Sequence, residues 1–228
     1  MCGRMAMTLP PDAMAQLFMA APANDLPQVP NYNVCPTDNV PIVTSDEAGA
    51  RKLRAMRWGF IPRWYKEPSG GPLLINARAE TLAEKPAFRT AARTRRGLVV
   101  ATGFYEWTKD AEGGRDPWYI TRQDDTALAF AAVWQDWRGP DGEVLMTCAI
   151  VTTAANKPMQ AIHHRMPVIL AQEDWPLWLG EQGKGAATLM SPAPDDLLGW
   201  HRVSRAVNSN RASGAALIKP VPPNDDGA

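Results

Sequence analysis

From residue 41 onward the chain is a series of short apolar runs broken by turn residues. Pro41–Thr44, Leu53–Trp58, Gly97–Trp107, Trp118–Thr121, Ala127–Trp134 and Leu145–Thr152 have the length and the β-branched or aromatic content of strands. Asp141-Gly142, between the last two, marks a hairpin turn. Helical spacing is confined to short stretches. Residues 12–20 place Met14, Leu17 and Phe18 on one face, and further helices are predicted at Thr81–Arg93, Thr153–Ile162 and Glu173–Leu179, the last closed by Gly180. Residues 22–41 are rich in Pro and Asn and read as a long ordered loop. No linker or repeat divides the chain. The pattern predicts one α+β domain over residues 1–212, built on antiparallel strands. Residues 213–228 read as a disordered tail.

Composition narrows the class. The 228 residues are 45% hydrophobic and 21% charged, as in ordinary globular protein. The net charge is zero, so no global field draws the chain to nucleic acid or to an anionic membrane. The basic residues are 17 Arg against 7 Lys, so a polyanion site has to be a local Arg patch. Arg89, Arg93, Arg95 and Arg96 form the densest run, which reads equally well as a solvated helix end. Three scattered cysteines make no disulfide framework. The first twenty residues do not read as a signal peptide, and no apolar run is long enough to span a membrane. A reducing cytoplasm is the expected compartment.

The candidate chemistry begins at residue 2. Removal of Met1 would leave Cys2 with a free α-amine beside its thiol, both partly nucleophilic near neutral pH. Such a 1,2-aminothiol can attack amides as an N-terminal nucleophile. It can also condense with an aldehyde, amine first and sulfur second, into a five-membered thiazolidine. The opposing reading is a frayed terminus. Glu106 sits in the aromatic run Phe104-Tyr105-Glu106-Trp107. Buried there, it would have a raised pKa and suit proton transfer; on an edge strand it would be solvated. Asn76, Arg78 and Glu80 alternate, forming either an exposed strand face or one wall of a site. His163 and His164 cannot both enter one site from regular strand, and His201 reads as structural. No spaced Cys/His set completes a zinc site.

These segments together resemble the SOS response-associated peptidase (SRAP) family, also called abasic-site processing proteins. The resemblance is carried by Met1-Cys2-Gly3-Arg4, Asn33-x-x-Pro36-Thr37, Arg57-Trp58-Gly59-Phe60-Ile61-Pro62 and Ile75-Asn76-Ala77-Arg78-Ala79-Glu80-Thr81. Lys85-Pro86-x-Phe88, Gly103-Phe104-Tyr105-Glu106-Trp107, Thr152-Thr153-Ala154-x-Asn156, Ile162-His163-x-Arg165-Met166-Pro167 and Val203-Ser204-x-x-Val207-Asn208 complete it. The resemblance implies binding of single-stranded DNA at abasic sites, with a covalent thiazolidine formed by Cys2 that shields the lesion during the response to DNA damage. By position, it makes Cys2 the nucleophile, has Asn76 orient the Cys2 end and the sugar, and has Glu106 and His163 handle protons. It puts Arg4, Arg78 and Arg165 on phosphates, and Pro36, Trp58 and Trp64 among the DNA contacts. It implies a mainly antiparallel, barrel-like β core flanked by short helices, and no cofactor, metal or membrane is expected. A monomer is expected, associated with the nucleoid when bound to DNA.

Two other readings stay open on sequence. An N-terminal-nucleophile cysteine hydrolase, glutamine amidotransferase or peptidase would also begin with a processed Cys. A non-covalent single-strand binder would stack Trp and Arg on bases, but leaves Cys2, Glu106 and His163 without work.

Overall fold

Thirteen strands and three short helices follow one another in the computed structural model, which describes residues 2–110 and 112–222. The strands are β1 (Met5–Met7), β2 (Ala21–Pro22), β3 (Asn31–Val34), β4 (Asn39–Ser45), β5 (Arg51–Trp58), β6 (Asn76–Arg78), β7 (Arg96–Ala101), β8 (Gly103–Lys109), β9 (Arg115–Arg122), β10 (Leu128–Arg138), β11 (Val144–Ala154), β12 (Arg165–Pro167) and β13 (Leu198–Arg202). The helices are α1 (Pro11–Phe18), α2 (Arg89–Thr94) and α3 (Trp175–Leu179).

Two sheets make the core. In the larger one β5, β4, β7, β10 and β11 are successive antiparallel neighbours. β11 then returns to β5 through a parallel pairing of Cys148 with Trp58 and closes a five-stranded barrel. Closure removes the free edges that an open sheet exposes. The smaller sheet runs β13-β9-β8-β1-β3, all antiparallel. The expected α+β class with a mainly antiparallel, barrel-like core is what is observed.

Alternation explains why β10 reads as an unbroken apolar run. Leu128, Phe130 and Ala132 join the cluster that includes Met5, Phe104 and Ile120 of the second sheet. Ala129, Ala131 and Val133 join the cluster under α1, α2 and α3, with Phe18 stacked on Trp175 at 4.3 Å. A strand covered on both faces has no polar side to show.

Several elements differ from expectation. The run Gly97–Trp107 is two strands: it leaves the barrel at Ala101, bends at Thr102 and enters the second sheet at Gly103. A Cβ at Gly103 would lie 2.4 Å from the Tyr119 ring, so only glycine lets β8 and β9 meet there. The loop read at residues 22–41 contains β3 and the start of β4. The helix expected over Thr81–Arg93 is divided into a 3₁₀ turn, Ala79–Thr81, and α2, because Pro86 interrupts the ladder. Thr153–Ile162 is not helical. β11 continues to Ala154, and buried Asn156 accepts the Met159 N–H at 3.1 Å to start a single 3₁₀ turn, Met159–Ala161. Residues 213–222, assigned to the tail on sequence, are packed: Ala215–Ile218 form a 3₁₀ turn, Leu217 is buried and Pro220 bridges Val203. The rest of the expected tail, residues 223–228, lies outside the described residues.

Candidate functional site

β1 positions the opening residues. Met5 pairs with Phe104 of β8, and the Tyr105 N–H donates to the Arg4 carbonyl at 2.9 Å. This carries residues 2–4 along β8 toward Glu106. Cys2 is only 1% exposed and packs in the cluster shared by the two sheets, so the chain is not frayed there. Its backbone carbonyl accepts the Asn76 side-chain amide at 2.9 Å. Asn76 is placed by β6, whose pairing with β11 sets it beside Ile150. The Asn76 Oδ1 is buried and takes no hydrogen bond among the described residues.

Glu106 points inward from β8 and is 2% exposed. Burial pushes its carboxyl up to about 7. Burial also raises the Cys2 thiol well above its ordinary value, and the nearby Glu106 carboxylate raises it further. The two groups are thus electrostatic neighbours: ionising one discourages ionising the other.

His163 enters from the turn before β12. Its N–H donates to the Met159 carbonyl at 2.9 Å. Its Nδ1 accepts the Arg165 N–H at 3.0 Å and lies 3.1 Å from the Arg165 carbonyl. Nδ1 can serve one of these at a time. The neutral ring with its proton on Nε2 accepts from the N–H; a protonated ring donates to the carbonyl. The backbone of one residue therefore supports both protonation states. Burial lowers the His163 pKa and favours the neutral ring. His164 is exposed and stacks on His163 at 4.4 Å; of the two, His163 lines the cleft.

Gly3, Arg4, Pro36, Glu106, Trp107, Arg115, His163 and Asn208 line a cleft of about 590 Å³. Cys2 packs against the adjoining core. Trp107 lies between two guanidinium groups, Arg4 at 5.9 Å and Arg115 at 5.1 Å from its ring centre. Its Nε1–H donates to Asn208 Oδ1 at 2.6 Å, and Asn208 Nδ2 donates to the Arg115 carbonyl at 3.1 Å. Arg115 was not anticipated; it follows a turn, and nothing in its sequence neighbourhood distinguishes it. Asn208 and Trp107 stood inside recognised motifs without a role.

The other expected contacts divide. Arg78 is exposed. Arg4 lines the cleft, but its guanidinium already donates to Asn33 Oδ1 at 2.6 Å and to the Val207 carbonyl at 2.8 Å. Arg165 forms a two-pronged pair with Glu80, at 2.5 and 2.9 Å. Trp64 is 59% exposed. Trp58 cannot contact DNA: it is 0% exposed, with its Nε1–H donating to the Ile75 carbonyl at 3.0 Å. The period of β5 turns it into the barrel core. The Arg89–Arg96 run is a helix end, with Arg96 donating to the Ala92 and Arg93 carbonyls at 3.0 and 2.8 Å. His201 is structural, its Nε2 lying 2.8 Å from the Ile218 carbonyl. Among the described residues no three His, Cys, Asp or Glu side chains group to hold a metal, and no helix is long and apolar enough to cross a membrane.

The family model for the SOS response associated peptidase (SRAP) matches residues 1–210, which include every element of this cleft. The chain belongs to the SRAP family. It is 38% identical over 193 residues to the abasic site processing protein YoqW of Bacillus subtilis, covering 83% of this chain and 86% of that one. It is 32% identical to the abasic site processing protein YedK of Escherichia coli, covering 97% of this chain and all of that one. The abasic site processing protein HMCES of Xenopus tropicalis is 31% identical, over 92% of this chain and 76% of its own. A crystal structure of a Bacteroides thetaiotaomicron protein superposes with a TM-score of 0.85 at 25% identity, covering 96% of this SRAP chain and 100% of that one.

Proposed function

We propose that this protein processes abasic sites in DNA, binding them in single strands and linking to the opened sugar through Cys2. The observation that carries this reading is convergence. Glu106 and His163 line one cleft from two separate segments, Cys2 is buried beside it as an electrostatic neighbour of Glu106, and Asn76 from a fourth segment holds the Cys2 carbonyl. The names of the SRAP relatives supply the substrate class.

The chemistry needs Met1 removed, so that Cys2 holds the terminal amine. That amine adds to the C1 aldehyde of the opened sugar and gives a carbinolamine. Loss of water requires a proton on the departing hydroxyl. Glu106, whose carboxyl titrates near 7, is the donor, and the neutral His163 ring can hold the hydroxyl by a hydrogen bond from Nε2–H. The thiol sulfur then adds to the iminium carbon and closes the thiazolidine, with its proton passing to the Glu106 carboxylate. Closure is intramolecular, so proximity supplies much of the rate. The product has no iminium to drive β-elimination, so the strand is spared. Arg4, which lines the cleft, and exposed Arg78 suit phosphates, and exposed Trp64 suits an unstacked base.

The test mixes the purified protein with single-stranded DNA containing one abasic site and resolves the products on a denaturing gel. A stable shifted band, lost in Cys2→Ala and weakened or lost in Cys2→Ser, is expected. Binding without that band would reduce the protein to a non-covalent single-strand binder. Affinity should fall with salt along a shallow slope set by the few phosphates contacted.

A further inference from the structure

Glu80 is bound to the segment that carries His163. Its carboxylate takes both terminal nitrogens of Arg165, at 2.5 and 2.9 Å. The same guanidinium donates to the Thr152 carbonyl of β11 at 2.7 Å. The arginine is therefore held by two elements, the 3₁₀ turn after β6 and strand β11. Its backbone N–H and carbonyl are the two groups that face His163 Nδ1.

We propose that Glu80 is a positioning residue for His163, acting through Arg165. The argument rests on the proposed crosslinking reaction and concerns where the imidazole proton sits. Arg165 is paired to β11 through a single register position, Ala154, and begins the three-residue β12. The strand start is short, held on its N-terminal side by the Ala155 N–H donating to the His164 carbonyl at 3.0 Å. The side-chain anchor adds to that ladder a second attachment, to Thr152 and Glu80. With the anchor in place, the Arg165 N–H meets Nδ1 squarely and the neutral ring keeps its proton on Nε2. Without it, the two tautomers become closer in energy and the ring loses a fixed direction.

A competing reading gives Glu80 a different task. Carboxylate pairing would screen Arg165 from DNA phosphates, and removing it would strengthen binding. Arg78 and Arg165 are the cationic groups gathered here, with Glu80 opposing them. The two readings move different observables.

The experiment compares wild type with Glu80→Gln and Glu80→Asp. Binding is measured with single-stranded DNA carrying a tetrahydrofuran abasic analogue, which has no aldehyde. Rate is measured as single-turnover crosslinking at saturating abasic DNA. The expected result for Glu80→Gln is a crosslinking rate down roughly 10-fold, in line with the sensitivity of positioned groups to small displacements. Its affinity should remain within about twofold of wild type. Glu80→Asp, which keeps the charge, should recover part of the rate. The ¹⁵N signals of the His163 ring should shift from one tautomer to a mixture in Glu80→Gln. Tighter binding at an unchanged rate would overturn the proposal in favour of screening. Unchanged rate and unchanged ring signals would overturn it outright. If wild type itself forms no crosslink, the proposed function fails, and the ring signals alone still decide the role of Glu80.

Discussion

The Asn76 side-chain amide holds the Cys2 carbonyl at 2.9 Å, joining the barrel to the first residues of the chain across 74 positions of sequence. The contact is to backbone, so it fixes the direction in which the Cys2 amine and thiol are offered. Asn76→Asp keeps the shape, removes the donor and turns a charge toward the carbonyl. Crosslinking to an abasic site should slow by about tenfold or more, with affinity for the tetrahydrofuran analogue little changed. Equal losses in affinity and rate would show that Asn76 binds DNA and does not orient Cys2.

Thiol labelling should follow burial. Cys2 and Cys148 are 1% and 0% exposed, and burial raises both thiols, Cys148 to about 12. Cys35 is partly exposed, and its upward shift from burial is opposed by the nearby Arg4 guanidinium. Iodoacetamide at pH 7.5 should alkylate Cys35 first, read by peptide mass spectrometry over time. Faster labelling of Cys2 would mean that its terminus leaves the packed position often in solution.

Sequence patterning revealed the barrel better than the second sheet, and the reason is physical. β4, β5, β10 and β11 are seven or more residues long and carry enough apolar positions to show their periods. β1 is three residues, Met5-Ala6-Met7, buried throughout, and has no alternation to detect. β6 and β12 are equally short and take their pairing from β11. Cys2, Asn76, Glu106 and His163 were legible through their chemistry and motifs, whereas Arg115 and the bracing of Arg165 by Glu80 arise from contacts between distant segments. Trp58 shows the limit of a motif: Arg57-Trp58-Gly59 marks the family, but the strand period decides that the indole points inward.

Trp58 and Trp64 should therefore separate stability from binding. Trp58→Ala empties a fully buried site and leaves the Ile75 carbonyl without its indole donor, at a cost of about 3–5 kcal/mol. Trp64→Ala should change stability by less than about 0.5 kcal/mol. If Trp64 stacks on a base, the same variant should weaken single-strand binding by about 1–3 kcal/mol. Urea titrations and fluorescence anisotropy read the two effects. A binding loss in Trp58→Ala larger than its fraction unfolded explains would restore it as a DNA contact.

Glu106 predicts the pH behaviour. Its carboxyl titrates near 7 in the folded protein because it is buried, against roughly 4.3 in an unfolded chain. Between those values the native state holds a proton that the unfolded state has released. Stability associated with this group is therefore present below about pH 4.3 and is lost as pH rises through 7. Glu106→Gln cannot ionise and escapes that loss. Its melting temperature should exceed that of wild type at pH 8, and the gap should close by pH 4. The rate of crosslinking should move the other way, since the same substitution removes the group that gives a proton to the departing hydroxyl and takes one from the thiol. In wild type that rate should pass through a maximum near pH 7, falling at higher pH as Glu106 loses its proton and at lower pH as the terminal amine, with an ordinary pKa of about 7.7, becomes protonated. In Glu106→Gln the maximum should disappear along with most of the rate. Parallel melting curves for the two proteins from pH 4 to pH 8 would place the carboxylate in solvent and take away the physical basis for its role in both proton steps.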